Sequence, residues 1–462
     1  MDQPLNHENE NGRRKWFVLL AVGIGTFMSA LDGSVVNTVL PVIQHTFKTE
    51  IATIEWVVVV YLLVVSGLLL TFGRLGDLRG HRLVYLLGYV IFIAGSALSG
   101  LAPNATSLVL FRCFQALGAA MLFSNAPAIL TGTFPPSQRG QALGLQGMMT
   151  YLGLTFGPSL GGWLTQAFSW RAVFYINVPV GLLALALSWA FVPPDSVEER
   201  RQPFDWVGAL LFVAGLVALL LALNEGAAWG WGSAPILGLL AGAVAALGLF
   251  IVWEGRVDAP MLDLSLFRIP VFTLSTASAV MNYVALYCIV FLMPYYLLDG
   301  RGLNPAQAGL LLTAQPIVMA IAAPISGTFS DRIGTRLPAT LGMVILSAGL
   351  VILSRMGPQT PLALTIVGLA VAGLGTGIFV SPNNSALMGS APRTRQGIAS
   401  GVLATARNMG MVLGIGLSGA ILTSFTAGNP GSGLFQAVAT GFLVGALVSL
   451  GAAATSVARG RR

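Results

Sequence analysis

The chain has 462 residues, of which 55% are hydrophobic and 9% charged, and its mean hydropathy is +0.80. Soluble domains carry about a quarter charged residues, so this composition excludes a water-facing surface and predicts helices that meet lipid or one another. The net charge of +7 is strung out between apolar runs instead of clustered, which argues against a nucleic-acid partner.

Residues 1–15 form a polar segment ending in Arg13, Arg14 and Lys15. Basic residues before an apolar run resemble a secretory or twin-arginine signal. This run, however, is long, is interrupted by Asp32 and leads into further apolar runs. It reads as a short cytoplasmic tail followed by a retained helix. A spanning helix needs about 20 mostly apolar residues. Such runs fall at 16–40, 54–73, 83–101, 106–130, 141–165, 171–192, 206–224, 235–253, 270–298, 305–327, 338–354, 361–382, 397–424 and 433–457, fourteen in all.

Basic residues favour the inner side of a membrane. With the amino end inside, eighteen of the 24 Lys and Arg residues fall in inner segments. Lys48, Arg171, Arg301 and Arg355 fall outside, and Arg112 and Arg407 lie within spans. A miscounted helix would scramble this asymmetry, so fourteen spans with both termini cytoplasmic is the expectation. Cys113 and Cys288 both lie in apolar runs and read as buried free thiols.

An internal repeat divides the chain. GRLGDLRGHR at 73–82 returns as GTFSDRIGTR at 327–336, aligning Gly73, Asp77, Gly80 and Arg82 with Gly327, Asp331, Gly334 and Arg336. In the fifth and thirteenth spans, Gly140, Gly144, Gly153, Gly157 and Gly162 align with Gly397, Gly401, Gly410, Gly414 and Gly419. The expected plan is an all-α integral membrane protein: a tail at 1–15, a six-helix half at 16–192, and two inserted helices within 193–268. A second six-helix half at 269–457 and a basic cytoplasmic tail at 458–462 follow. Paired halves around a central site are the usual plan of a secondary transporter.

The loop GRLGDLRGHR is the most specific signal. Asp77 can accept from helix-end N–H groups or pair with Arg74, the glycines permit close approach, and Arg79 and Arg82 can hold the inner surface and lipid phosphates. The plain alternative is a basic loop that sets topology; recurrence in the second half favours a gating lock. This loop resembles the hallmark of the major facilitator superfamily. LDGSVVNTVLP, LVLFRCFQALGAA, GLTFGPSLGGWL, WRAVFYINVPVG and FDWVG sharpen the resemblance to its fourteen-helix drug:proton antiporter family. The resemblance implies export of hydrophobic or cationic amphipathic compounds in exchange for protons across a bacterial inner membrane.

The antiporter-like motif contains Gly153, Gly157, Pro158, Gly161 and Gly162. Small residues every four positions let a neighbouring helix approach, and Pro158 is expected to bend the helix. The resemblance adds that the motif marks exporters; ordinary tight packing is the plain reading. Arg112 lies in mid-span with Gln115 three residues on, the same face. The repeat places Leu369 and Ala372 at those positions, which favours a coupling role for Arg112 over an architectural one.

Asp32 shares a small-residue face with Gly25 and Ser29. Burial penalises its ionised form and a nearby cation favours it. A group that takes either a proton or a cationic substrate couples the two flows by competition; a structural Asp bonded to backbone or to Asn37 is the alternative. Arg407 and Asn408 interrupt the thirteenth span as supporting polar groups or an anchor. Met28, Met148, Met281, Met293, Met319, Phe156, Tyr175 and Tyr283 are candidates for an adaptable apolar pocket, or else ordinary packing. The chain has no GxxxxGK[ST] loop and no Cys/His cluster among its three His. The expectation is therefore a non-enzymatic, monomeric carrier without cofactor or metal, driven by the proton gradient, with protons, membrane lipids and small amphipathic or cationic substrates as partners.

Overall fold

The computed structural model describes residues 3–49, 51–195, 203–230, 232–426 and 430–459. The side chains of Asn37 and Pro158 lie outside the described residues. The first half runs α1 (Gln3–Phe47), α2 (Ile51–Arg79), α3 (His81–Leu101), α4 (Ala105–Thr133) and α5 (Arg139–Ala167). Short α6 (Ala172–Tyr175) and α7 (Asn177–Phe191) together complete it. A hairpin of α8 (Trp206–Trp229) and α9 (Ala234–Glu254) follows. The second half comprises α10 (Pro270–Tyr295), α11 (Pro305–Leu312), α12 (Ala314–Ile333), α13 (Arg336–Ser354), α14 (Leu362–Ser390), α15 (Gln396–Thr426) and α16 (Pro430–Ala458).

Among the described residues, thirteen helical segments are long and apolar enough to cross a membrane. The helix α5 is not one of the thirteen. At 29 residues it is about 44 Å long, so length is not its deficit. Its seven glycines, with Gln141, Gln146 and Gln166, dilute its hydropathy. It packs between α1 and α12 and leaves Leu154, Phe156 and Trp163 on its exposed side. The polar segment at the amino end is helical from its third residue, Gln3, because once nucleated a helix propagates cheaply through residues such as Glu and Asn. Arg14 donates to the Phe191 carbonyl and Lys15 donates to Gln138 Oε1 at 2.7 Å, so these two residues are fastened to the bundle.

Local chemistry sets several helix starts. Asn104 and Ser107 form a reciprocal capping box at α4, and Asn304 and Gln307 form one at α11. Gly80 and Gly334 have φ of 97° and 87° at equivalent positions of the repeated loop, a region that L side chains rarely enter.

Packing follows the repeat. The pairs α1–α5, α3–α4 and α2–α4 in the first half correspond to α10–α15, α13–α14 and α12–α14 in the second. The halves meet along two seams, α2 with α15 and α5 with α12. The inserted hairpin lies on one seam only: α8 packs on both α2 and α15. A Cβ on Gly67 of α2 would lie 3.2 Å from Val217 of α8. In the FDWVG stretch, Asp205 accepts from the Gly208 N–H at 2.9 Å and from the Trp253 indole at 3.1 Å. One carboxylate thus caps α8 and ties it to the end of α9.

Candidate functional site

Three features combine polar chemistry with burial. The first lies inside the first half. Asp32 of α1 and Arg112 of α4 form an ion pair of 2.6 Å, with side chains 0% and 1% exposed. Gln115, one turn along α4, donates to Asp32 Oδ1 at 3.1 Å and accepts from Arg112 at 2.8 Å. Asn177, the first residue of α7, donates to the same Oδ1 at 2.8 Å and to Ser96 at 3.0 Å. The Arg112 guanidinium lies 4.1 Å from the centre of the Tyr61 ring, and its Nε–H donates to the Val57 carbonyl at 3.4 Å.

Two charges taken out of water are costly unless paired and hydrogen-bonded. Here both carboxylate oxygens are used and the cation also has an aromatic face. The small-residue face of α1 creates the space: Gly25 abuts Tyr85 and Tyr89 of α3, and Ser29 is buried beside it. Sequence spacing placed Arg112 and Gln115 together. It missed Asn177, Ser96 and Tyr61, although INVPVG held a signal in the form of an Asn inside an apolar run.

The second feature is a pair of latches between the halves, at the arginine-rich face. Asp77 at the end of α2 accepts from the N–H groups of Gly397 and Ile398 at 2.7 and 2.9 Å, at the start of α15. Asp331 at the end of α12 accepts from Gly140 and Gln141 at 2.9 Å each, at the start of α5. Each carboxylate satisfies N–H groups that the helix itself leaves unbonded and faces its positive end. Close approach makes this possible: a Cβ on Gly73 would collide with the Gly397 carbonyl, and one on Gly327 with the Gly140 carbonyl. Ser381 donates to the Gly140 carbonyl at 2.6 Å and Thr131 to Gln396 at 3.0 Å.

His81, not singled out from the sequence, lies 3.4 Å from Asp77 and shares a 2.8 Å hydrogen bond with Asn125. Arg82 donates through Nη2 to the Trp189 carbonyl at 2.7 Å, binding α3 to α7. Arg79 is exposed and Arg336 half-buried. The bonds across each latch are thus made by the acid of the motif on the glycine-lined approach, while buried Arg74 lies in the field of Asp77.

The third feature is a cavity of about 70 Å³ between the halves, lined by Arg407, Tyr283, Tyr151, Gln146, Asn384 and Thr26 among others. The expected pocket residues do not converge there. Tyr283 lines it, while Met148 and Met319 belong to an apolar cluster beside it. Met28 lies in the first-half core, Met293 in the second-half core with Met281 against it, and Phe156 and Tyr175 are 54% and 38% exposed elsewhere. Residue type named these candidates, but the direction in which each helix turns decides which face the cavity. Asn408 is half-buried on α15 and is not among the lining residues.

In the antiporter-like motif, Gly153, Gly157 and Gly161 face Phe27, Ser34 and Val35 of α1. Gly162 has open space around its missing Cβ, so the contact face includes three of the four glycines. The helix α5 runs continuously through position 158.

These features agree with the comparisons to known proteins. The model of the Major Facilitator Superfamily matches residues 22–277, the first half with the inserted hairpin, and again 275–460, the second half. The riboflavin transporter RibZ of Clostridioides difficile (strain 630) is 36% identical over 402 residues, 87% of each chain. The multidrug resistance protein Stp of Mycobacterium tuberculosis (strain ATCC 25618 / H37Rv) is 34% identical over 414 residues, covering 89% of this chain and 77% of that protein. The crystal structure of the human organic anion transporter MFSD10 (TETRAN) superposes with a TM-score of 0.66 at 16% identity, covering 94% of this chain and 99% of that one. At that identity the likeness concerns the fold. With two latched halves, a matching family model and relatives of this identity, the chain belongs to the major facilitator superfamily and groups with its drug-efflux members.

Proposed function

We propose that the protein exports small amphipathic compounds in exchange for protons, by alternating access across a bacterial cytoplasmic membrane, with fourteen spans and both termini inside. The observation that carries this reading is the buried Asp32–Arg112 ion pair, whose Arg112 is matched by apolar Leu369 in the second half. With Asp32 ionised, the pair and its two amides are satisfied and α1, α4 and α7 are held together. A proton on Asp32 would leave Arg112 buried without its counter-charge, which costs about 3–5 kcal/mol. That cost is large enough to drive a rearrangement of α1 against α4. On this reading the latches at Asp77 and Asp331 open and close the arginine-rich face as the halves rock.

The preference for cations implied by the family resemblance has less support: Asp32 is already engaged by Arg112. A second reading, export of one specific metabolite, is favoured by the 36% identity to a protein named a riboflavin transporter. The deciding experiment is substrate-driven proton movement in proteoliposomes, with wild type and Asp32→Asn, over a panel of dyes, antiseptics and riboflavin. Movement with many compounds supports broad export; movement with one supports the second reading. Proton movement that persists unchanged in Asp32→Asn rejects the coupling role.

A further inference from the structure

The cavity between the halves has one charged lining residue, Arg407 of α15. Its Nε–H is buried and has no hydrogen-bond partner. Its guanidinium lies 5.2 Å from the centre of the Phe123 ring and beside the Tyr283 hydroxyl, uncharged contacts that orient the fork without neutralising it. The remaining polar lining consists of hydroxyls and amides, including Tyr151, Tyr283, Gln146 and Asn384, with no carboxylate among them. Asp32, the acid of the neighbouring half, is 0% exposed and spent on Arg112. The cavity therefore presents a net positive charge with an unused donor. A buried donor of this kind strongly favours a ligand that can accept from it. The cavity is small, about 70 Å³. That suits a compact head group, with the rest of a larger molecule accommodated only when the halves part.

We propose that this cavity receives the anionic head, a carboxylate or an ionised phenolic oxygen, of an aromatic amphipath, with Arg407 as its counter-charge. The inference rests on the exporter reading only in taking the cavity as the substrate's path. The test is equilibrium binding to the purified full chain in detergent, read by fluorescence polarisation. Two probes share one ring system and differ in charge: anionic fluorescein and cationic rhodamine 6G. Wild type is expected to bind fluorescein at least ~10-fold more tightly than rhodamine 6G, the order of one charge-assisted hydrogen bond. Arg407→Gln removes that preference, and Arg407→Lys retains part of it. Equal or tighter binding of rhodamine 6G by wild type overturns the proposal, as does undiminished fluorescein binding by a folded Arg407→Gln. If Arg407→Gln does not fold, the wild-type preference decides alone. Preferential fluorescein binding without proton-coupled transport would defeat the exporter reading and leave this one standing; coupled transport with a preference for the cation would do the reverse.

Discussion

The two halves share a chain path but differ in what they bury. In α4 the first half carries Arg112 and Gln115; at the repeat-related positions of α14 stand Leu369 and Ala372, both fully buried. The latches, by contrast, occur twice, at Asp77 and at Asp331, with the same pair of backbone donors on the facing helix. Geometry that holds the halves together is duplicated. The ion pair of α1 and α4 is not, and a bundle of the same shape is built without it. The difference separates what the fold requires from what the first half does in addition.

The sharpest way to break this distinction is to disable the pair. Asp32→Asn should reduce coupled transport to background and destabilise the protein by about 3 kcal/mol, since it leaves Arg112 buried and unpaired. Proteoliposome proton flux and thermal unfolding measure the two effects. Combining Asp32→Asn with Arg112→Leu copies the apolar character of the second half. It should recover most of the lost stability, because a buried pair is readily replaced by apolar packing, while transport stays absent. Recovered coupling in the double variant would mean the pair is architectural after all.

The latches test the other side of the comparison. Asp77→Ala and Asp331→Ala each remove a carboxylate that accepts two N–H bonds, a loss of about 1.5–3 kcal/mol. Each should raise thiol labelling of a cysteine placed at Thr131 beside the seam. Asp77 should show the larger effect because His81 also contacts it, whereas Thr335 occupies the matching position in the second half. The smallest effect is expected at Gly162→Ala. Nothing lies within 4 Å of the added Cβ, so the variant should be no less stable than wild type and gain up to about 1 kcal/mol from the lost freedom of the unfolded chain. Gly157→Ala, which meets Ser34 of α1, should instead cost stability, and equal melting temperatures for the two variants would deny that α5 has a preferred contact face.

The fold was readable because its determinants are local or repeated. Apolar runs of spanning length, arginines on alternate loops and recurring glycines all survive in a single sequence. The chemistry was readable where partners sit within one turn, as with Arg112 and Gln115, or where a charge is out of place, as with Asp32. Asn177 was harder to find, because it is 145 positions from Asp32 and its role depends on how α7 packs against α1. His81 was hidden for a similar reason: its partner Asn125 lies on another helix. The pocket candidates could not be sorted from packing residues in the sequence. Met28 and Phe156 are of the right type, but an all-apolar helix gives no pattern that tells lipid from core from cavity.

The hairpin α8–α9 has a consequence for the flanks of the molecule. By packing on both α2 and α15, it covers one of the two seams along which the halves meet. The seam of α5 with α12 has no such cover among the described residues. The two flanks of the molecule are therefore unlike, one two helices deep and one bare.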